Sequence, residues 1–321
     1  EPPIMLTIRP YRPADWPRLQ QIHDPARWHE LALAGMPDAF RQLAEVAGAE
    51  GLFDYPHLDV AEVDGTAAGF AAYTDEELGW VYVDPALSRH GIGRALVRHA
   101  LETEPGLYYV ELLAGNTPAR SLYESEGFVF REALHGSMPG NESFKVTVDA
   151  LIRPSAAFTL APAAMEDAEA VFSIIRERIR WMDEQGIRQW NAADYWAIFP
   201  ESYYRDAIKA GRLLVLRDRL TGKVAAAGVY AHTDGFWNDL DGREGAGYIH
   251  NFAASRAFPG AGSLMLEKVE GYARQDGRER FRLDCRAGNA RLNAYYESRG
   301  YQAVGEVRDG GYHGIRREKK L

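Results

Sequence analysis

The chain has 321 residues, 46% of them hydrophobic and 26% charged, the composition of folded globular protein rather than of a disordered chain. That length accommodates two ordinary domains, and no apolar run nears the ~20 residues that a membrane span needs. The net charge of −9 is unevenly shared: residues 1–150 hold 11 Lys/Arg against 23 Asp/Glu and residues 151–321 hold 26 against 23, so the acidic first half argues against a nucleic-acid surface there.

The opening Glu1-Pro2-Pro3-Ile4 has no basic segment leading into an apolar stretch, so no signal peptide is expected, and a cytoplasmic protein is the simplest reading. Thr7-Ile8-Arg9-Pro10, followed by Asp15, predicts a short strand, a polar break and a helix start. Asp64-Gly65 between Leu58–Val63 and Thr66–Thr74 predicts a two-residue hairpin. A short apolar strand at Gly79–Val83 leads into a Gly-rich turn and an amphipathic helix over Gly91–Leu101. A strand at Tyr108–Leu113 and a short helix ending at Gly127-Phe128 follow. Pro154-Ser155 marks a junction, which places the domains at 4–150 and 156–321.

The same plan then repeats. Thr159-Leu160-Ala161-Pro162 is followed by Asp167, and Thr221-Gly222-Lys223 joins strands at Leu213–Arg217 and Val224–Ala231. A strand at Tyr248–Ala253, a turn and helix at Gly260–Ala273, a strand at Arg280–Cys285 and a helix ending at Gly300-Tyr301 complete it. The closing segments register without a gap: Asn116-x-x-Ala119-x-x-Leu122-Tyr123-x-x-x-Gly127-Phe128 matches Asn289-x-x-Leu292-x-x-Tyr295-Tyr296-x-x-x-Gly300-Tyr301. Strands with helical crossovers predict an α/β fold with a mixed sheet in each half. The basic end, Arg316-Arg317-Glu318-Lys319-Lys320, reads as a solvated, mobile terminus.

Several residues bear on chemistry. In Ser88–Ala95, two glycines at a strand-to-helix turn let backbone N–H groups meet an anion, and Arg89 and Arg94 add positive charge. A purely structural turn explains the glycines equally well. The second copy keeps the spacing at Gly260 and Gly262, but its turn has no Arg or Lys, and Pro259 removes a backbone donor. Cys285, the single cysteine, excludes an internal disulfide and a multi-cysteine zinc site, and on an apolar strand it reads as a small core residue. No metal is expected. His250 lies between apolar neighbours on a strand, where it suits proton transfer or a satisfied structural role. Glu111 lies on a strand whose alternation admits either face. The run Trp181, Trp190, Tyr195, Trp196, Phe199, Tyr203 and Tyr204 fits a pocket for an aromatic amine, or helices packed on a sheet.

Ser88–Gly93 approximates the signature Arg/Gln-x-x-Gly-x-Gly/Ala, with Ser88 in place of its first residue. Asn116, Tyr123, Gly127 and Phe128 match the Asn and Tyr that precede Gly-Phe. On these residues the chain resembles the GNAT acetyltransferase superfamily, twice over and across nearly its whole length. The two-domain arrangement is similar to that of mycothiol synthase. The resemblance implies acetyl-CoA as co-substrate, with its pyrophosphate on the turn formed by Arg89, His90, Gly91, Ile92, Gly93, Arg94 and Ala95. Pantetheine would run beside the strand ending in Val83, with Asn116 also at the cofactor. Gly260, Gly262, Ser263 and Asn289 are the counterparts in the second copy.

GNAT chemistry is direct attack of an amine on the thioester. Presenting a lysine-like amine neutral at pH 7 costs roughly 4–5 kcal/mol, so a base or water chain is needed. The resemblance makes Tyr123 and Tyr296 the phenols that assist the departing thiolate, although both also suit packing of helix on sheet. His250 is the candidate base of the second copy. The expected activity is N-acetylation of a primary amine on a small molecule, with no nucleic-acid or membrane partner and a homodimer left open. The alternative is an acyl-CoA-binding sensor or scaffold that does not turn over.

Overall fold

A computed structural model describes residues 5–239 and 245–321. The chain divides into two compact units, one ending at Ala157 and the other beginning at Phe158. The first contains, in order, β1 (Leu6–Pro10), α1 (Trp16–Leu33), α2 (Leu43–Val46), β2 (His57–Val63), β3 (Thr66–Tyr73), β4 (Glu77–Val83) and α3 (Ile92–Thr103). It continues with β5 (Tyr109–Leu113), α4 (Thr117–Ser125), β6 (Val129–Met138), β7 (Asn141–Ile152) and α5 (Pro154–Ala157). Its seven strands form one mixed sheet in the order β1-β2-β3-β4-β5-β7-β6.

Both faces of this sheet are covered. Leu19, Ile22 and Leu43 of α1 and α2 pack on Val60, Phe70 and Trp80. Leu96, Val97 and Ala100 of α3, with Tyr123 of α4, pack on Ala61, Ala71 and Val110. Val60 and Ala61 are neighbours on β2, so the two-residue alternation of a strand feeds both cores. Ahead of α1, Asp15 closes the 3₁₀ turn Pro13–Asp15 by accepting the Arg12 N–H at 2.7 Å and pairs with Arg9 at 2.8 Å, which fixes the chain where it enters the helix.

The second unit contains β8 (Phe158–Pro162), α6 (Ala168–Glu184), α7 (Tyr195–Ile198), α8 (Glu201–Lys209), β9 (Leu213–Asp218), β10 (Val224–Ala231) and β11 (Ala246–Ala254). α9 (Ala261–Gln275), β12 (Arg280–Arg286), α10 (Ala290–Ser298), β13 (Gln302–Asp309) and β14 (Tyr312–Lys320) follow. The sheet order β13-β14-β12-β11-β10-β9-β8 is the same plan. Asp167 repeats the role of Asp15, accepting the Ala164 N–H at 2.9 Å and pairing with Arg217 at 2.7 Å.

The basic end is not a solvated terminus. It lies in β14, between β13 and β12, with Arg316 and Arg317 buried. Arg317 pairs with Glu297 at 3.0 Å, Lys319 with Glu270 at 2.7 Å, and Arg316 with Asp239. The aromatic run packs over the second sheet. Tyr195 and Tyr204 are buried and joined by their hydroxyls, while Tyr203 donates to Asn251 Oδ1 at 3.1 Å and Asn251 Nδ2 donates to the Tyr195 hydroxyl at 2.8 Å. No helix among the described residues is long and apolar enough to cross a membrane.

Candidate active site

In the first unit β4 and β5 are parallel and pair only at Glu77↔Tyr109 and Leu78↔Val110. Beyond that point they part, and β4 runs on to Val83 without a β5 partner, leaving backbone donors and acceptors facing a gap. A cavity of about 1170 Å³ opens there, reaching from the start of α3 to α1 and the β6–β7 hairpin.

At one end lies the turn into α3. Gly91 is the helix N-cap at φ +81°, a conformation that disfavours any side chain, and no side chain caps the helix. The Ala95 N–H is bonded to Gly91 O at 3.0 Å, so the N–H groups of Ile92, Gly93 and Arg94 are the ones a helix start leaves without carbonyl partners. Gly93 serves packing as well, because a Cβ there would stand 3.2 Å from Leu122 Cδ2. Arg89, at φ +69°, forms no ion pair among the described residues. Arg94 pairs with Glu126 at 3.1 Å, and Glu126 also holds Arg98 at 2.9 Å.

Val83, Arg89, Gly91, Ile92, Gly93, Arg94, Asn116 and Tyr123 therefore share one cavity. His90 does not join them. Its Nδ1 lies 3.0 Å from Ser88 O, and it lines a separate cavity of about 60 Å³ with Leu6 and Val63. The amide of Ala95 is already used within the helix.

Tyr123 is 6% exposed, and its hydroxyl makes no hydrogen bond among the described residues. Burial and the Glu30 carboxylate push its phenol up from the ordinary value, so it keeps its proton at neutral pH. Glu30 itself was not singled out from the sequence. Its Oε1 accepts from Asn116 Nδ2 at 3.3 Å, and its Oε2 accepts from Arg27 at 2.8 Å and from the Tyr82 hydroxyl at 3.4 Å. Asn116 Oδ1 caps α4 through the Ala119 N–H at 3.2 Å, so one asparagine fixes both α4 and the carboxylate. A signal existed: His23, Arg27 and Glu30 stand at helical spacing beside the buried Leu19 and Ile22, an unusual polar stripe on a core-facing side. Glu111 lines the same cavity and accepts from the Tyr109 hydroxyl at 2.5 Å. Leu33, Met138, Val146 and Val148 supply an apolar wall.

The second unit keeps the frame but alters the turn. β11 and β12 pair from Ala246↔Arg280 to Tyr248↔Arg282 and then part, and Gly260 caps α9 at φ +84°. Here the Ala261 N–H donates to Phe258 O at 3.1 Å, and the Ser263 hydroxyl lies 2.9 Å from that of Tyr295. Glu177 places a carboxylate just before the turn, accepting from the Ser255 hydroxyl and the Arg256 N–H, both at 3.3 Å. A Cβ at Gly262 would stand 3.5 Å from Ala254 Cβ, an ordinary van der Waals contact, so packing does not demand glycine there as it does at Gly93. Asn289 caps α10 through the Leu292 N–H at 3.1 Å and donates to Gln189 Oε1 at 3.0 Å. Burial pushes the Tyr296 phenol up. No hydrogen bond joins it to His250 among the described residues; His250 Nε2 instead lies 3.8 Å from Asp234 Oδ2. Burial also pushes the Cys285 thiol up to about 11, which makes it inert rather than nucleophilic.

Two family profiles match the chain, one described as "Acetyltransferase (GNAT) domain" over residues 54–130 and one as "Acetyltransferase (GNAT) family" over residues 175–301. The chain carries two GNAT acetyltransferase domains in tandem. Similar solved structures include a GNAT-family acetyltransferase from Listeria monocytogenes, at 26% identity, covering 51% of this chain and 95% of that one with a TM-score of 0.44. Another, from Streptococcus agalactiae, has 18% identity, 51% and 95% coverage and a TM-score of 0.43. The PaiA N-acetyltransferase of Thermoplasma acidophilum, solved in complex with coenzyme A, has 15% identity, 51% and 99% coverage and a TM-score of 0.41. No curated protein matches the chain. Each GNAT domain has the mixed sheet with a parted parallel pair and a helix start that no side chain caps; in the second, Phe258 O already takes the first of its amides, that of Ala261.

Proposed function

We propose that the first GNAT domain transfers an acetyl group from acetyl-CoA to the primary amine of a small molecule. One observation carries this reading: a single cavity joins the uncapped start of α3, the unpaired edge of β4 and the Tyr123 hydroxyl. The N–H groups of Ile92, Gly93 and Arg94 suit a pyrophosphate, with Arg89 as its added cation. The β4 edge up to Val83 suits the amide-bearing pantetheine arm, which hydrogen-bonds as a strand does.

In this mechanism the amine nitrogen bonds to the thioester carbonyl carbon, the C–S bond breaks, and the thiolate leaves. The amine proton passes to Glu30, directly or through water, and on to solvent. Tyr123, held above the parent thiol value of about 8.5, keeps its proton and lends a hydrogen bond to the departing sulfur. Glu30 and Glu111 beside Leu33, Met138, Val146 and Val148 favour an amine that arrives as a cation on an apolar body. Glu177 at the second turn supports a binding or structural role for the second domain, because a fixed carboxylate repels a diphosphate.

The test is thiol release by the full chain from acetyl-CoA across a panel of primary amines, with apolar amines prominent. Amine-dependent release supports catalysis. Tight acetyl-CoA binding with no release above hydrolysis for any amine supports the sensor reading instead.

A further inference from the structure

Three side chains of the second GNAT domain converge without any part in acetyl transfer as proposed. Asp234 precedes the short 3₁₀ turn Gly235–Trp237, His250 lies on β11, and Asp284 lies on β12. One ligand-capable atom of each lies within 4.8 Å of the others. His250 and Asp284 each stand two residues beyond the last paired rung, Tyr248↔Arg282, so the strand period aims both to one face.

The surroundings orient these groups. Asp234 Oδ1 accepts the Phe236 N–H at 2.9 Å, and Asp284 Oδ2 accepts from the Tyr312 hydroxyl. The Phe236 and Tyr312 rings stack at 6.0 Å, which ties the two supports together. Asp234 Oδ2 is buried with no hydrogen-bond partner, on a side chain 9% exposed, and it faces His250 Nε2 at 3.8 Å. Two nearby guanidiniums have carboxylate partners of their own, Arg282 bonding to Glu318 at 2.7 Å and to the Tyr248 hydroxyl at 2.6 Å and Arg316 to Asp239 and to Phe236 O at 2.9 Å, while Arg282 Nη2 and Arg316 Nε remain without a hydrogen-bond partner among the described residues. A buried carboxylate oxygen without a donor, converging with a second carboxylate and an imidazole, is an arrangement that a cation relieves.

We propose that Asp234, His250 and Asp284 bind a divalent transition-metal ion. One imidazole nitrogen and two carboxylate oxygens form a borderline-to-hard donor set, suited to Zn²⁺ or Mn²⁺. Such ligands lie about 2.0–2.2 Å from the ion, so the three close by roughly an ångström through side-chain rotation on binding. Water or a bound molecule completes the coordination, and the Phe236–Tyr312 pair supplies the outer support that fixes the carboxylates. The ligands come from a loop and two strands, so the ion ties the segment after β10 to the sheet.

The experiment is calorimetric titration of the chelator-treated full chain with ZnCl₂ and, separately, MnCl₂. At least one ion is expected to saturate a single site, with loss of binding in His250→Ala and at least tenfold weaker binding in Asp284→Asn. Tyr312→Phe, which touches no ion, is expected to weaken binding by about tenfold. The ion should raise the melting temperature of the wild-type chain but not of His250→Ala. Should His250→Ala fail to fold, the isosteric Asp284→Asn carries the same test. Absence of saturable binding by either ion to the folded wild-type chain overturns the proposal. Undiminished affinity in the folded variants also overturns it, by placing the ion at other side chains. A protonated His250 bridging the two carboxylates, seen by NMR and unchanged by either ion, overturns it as well.

Discussion

Replacing Tyr123 by Phe removes one oxygen from the first GNAT domain. Among the described residues that hydroxyl has no hydrogen-bond partner, so its loss orphans nothing, and the ring keeps its contact with Phe128 at 6.0 Å. The melting temperature should therefore change little. Catalysis should change far more, because the hydroxyl is proposed to meet sulfur only as negative charge develops there. A hydrogen bond to a charged group is worth about 1.5–3 kcal/mol, which corresponds to roughly a tenfold to 150-fold loss in rate. KM for acetyl-CoA should hold within about twofold, since the pyrophosphate and pantetheine contacts are untouched. Steady-state thiol release against acetyl-CoA and amine concentration measures both. A folded Tyr123→Phe chain with unchanged kcat would refute the assignment and leave Tyr123 as packing alone.

Three further outcomes follow from the same geometry. Gly91→Glu puts a side chain at φ +81° and a carboxylate beside the free amides, so acetyl-CoA affinity should fall at least tenfold by calorimetry. Gly91→Ala, with the strain but not the charge, should lose less. Glu30→Gln keeps the side chain's shape but cannot take a proton; amine turnover should drop by about a hundredfold or more while acetyl-CoA binding stays within about threefold, and equal loss of both would contradict a base role. Asp15→Asn tests the helix start. The Arg9 guanidinium holds the Asp15 carboxyl below its usual range, so the stabilisation is complete above about pH 4 and is lost as pH falls through the lowered folded-state value. Thermal melts should show the variant less stable at pH 7 and the gap to wild type narrowing towards pH 2–3; a gap that widens in acid would contradict this.

What was legible in the sequence was local. Asp64-Gly65 marks a real hairpin, and Asp15 and Asp167 mark real helix starts, because their partners lie within a few residues or on the adjoining strand. Asn116 and Asn289 register because each caps the helix that follows it. What stayed hidden depends on distant partners. Arg316 and Arg317 look like a solvated end until α10 and the segment at Asp239 supply carboxylates that allow burial. Arg94 reads as a free cation, yet Glu126, 32 residues on, holds it. Strand β6 escaped notice because it is mostly exposed and carries little apolar alternation. Glu30 belongs to a helix outside the repeated signatures, and Asp234, His250 and Asp284 meet only when a loop and two strands come together.

The most direct measurement is the crystal structure of the full chain grown with coenzyme A. The expected result places the pyrophosphate on the amides of Ile92, Gly93 and Arg94, pantetheine along β4 to Val83, and the sulfur within hydrogen-bond reach of the Tyr123 hydroxyl. Coenzyme A at the turn of Gly260–Ser263, with none at Gly91–Arg94, would contradict the account and move acetyl transfer to the second domain and Tyr296.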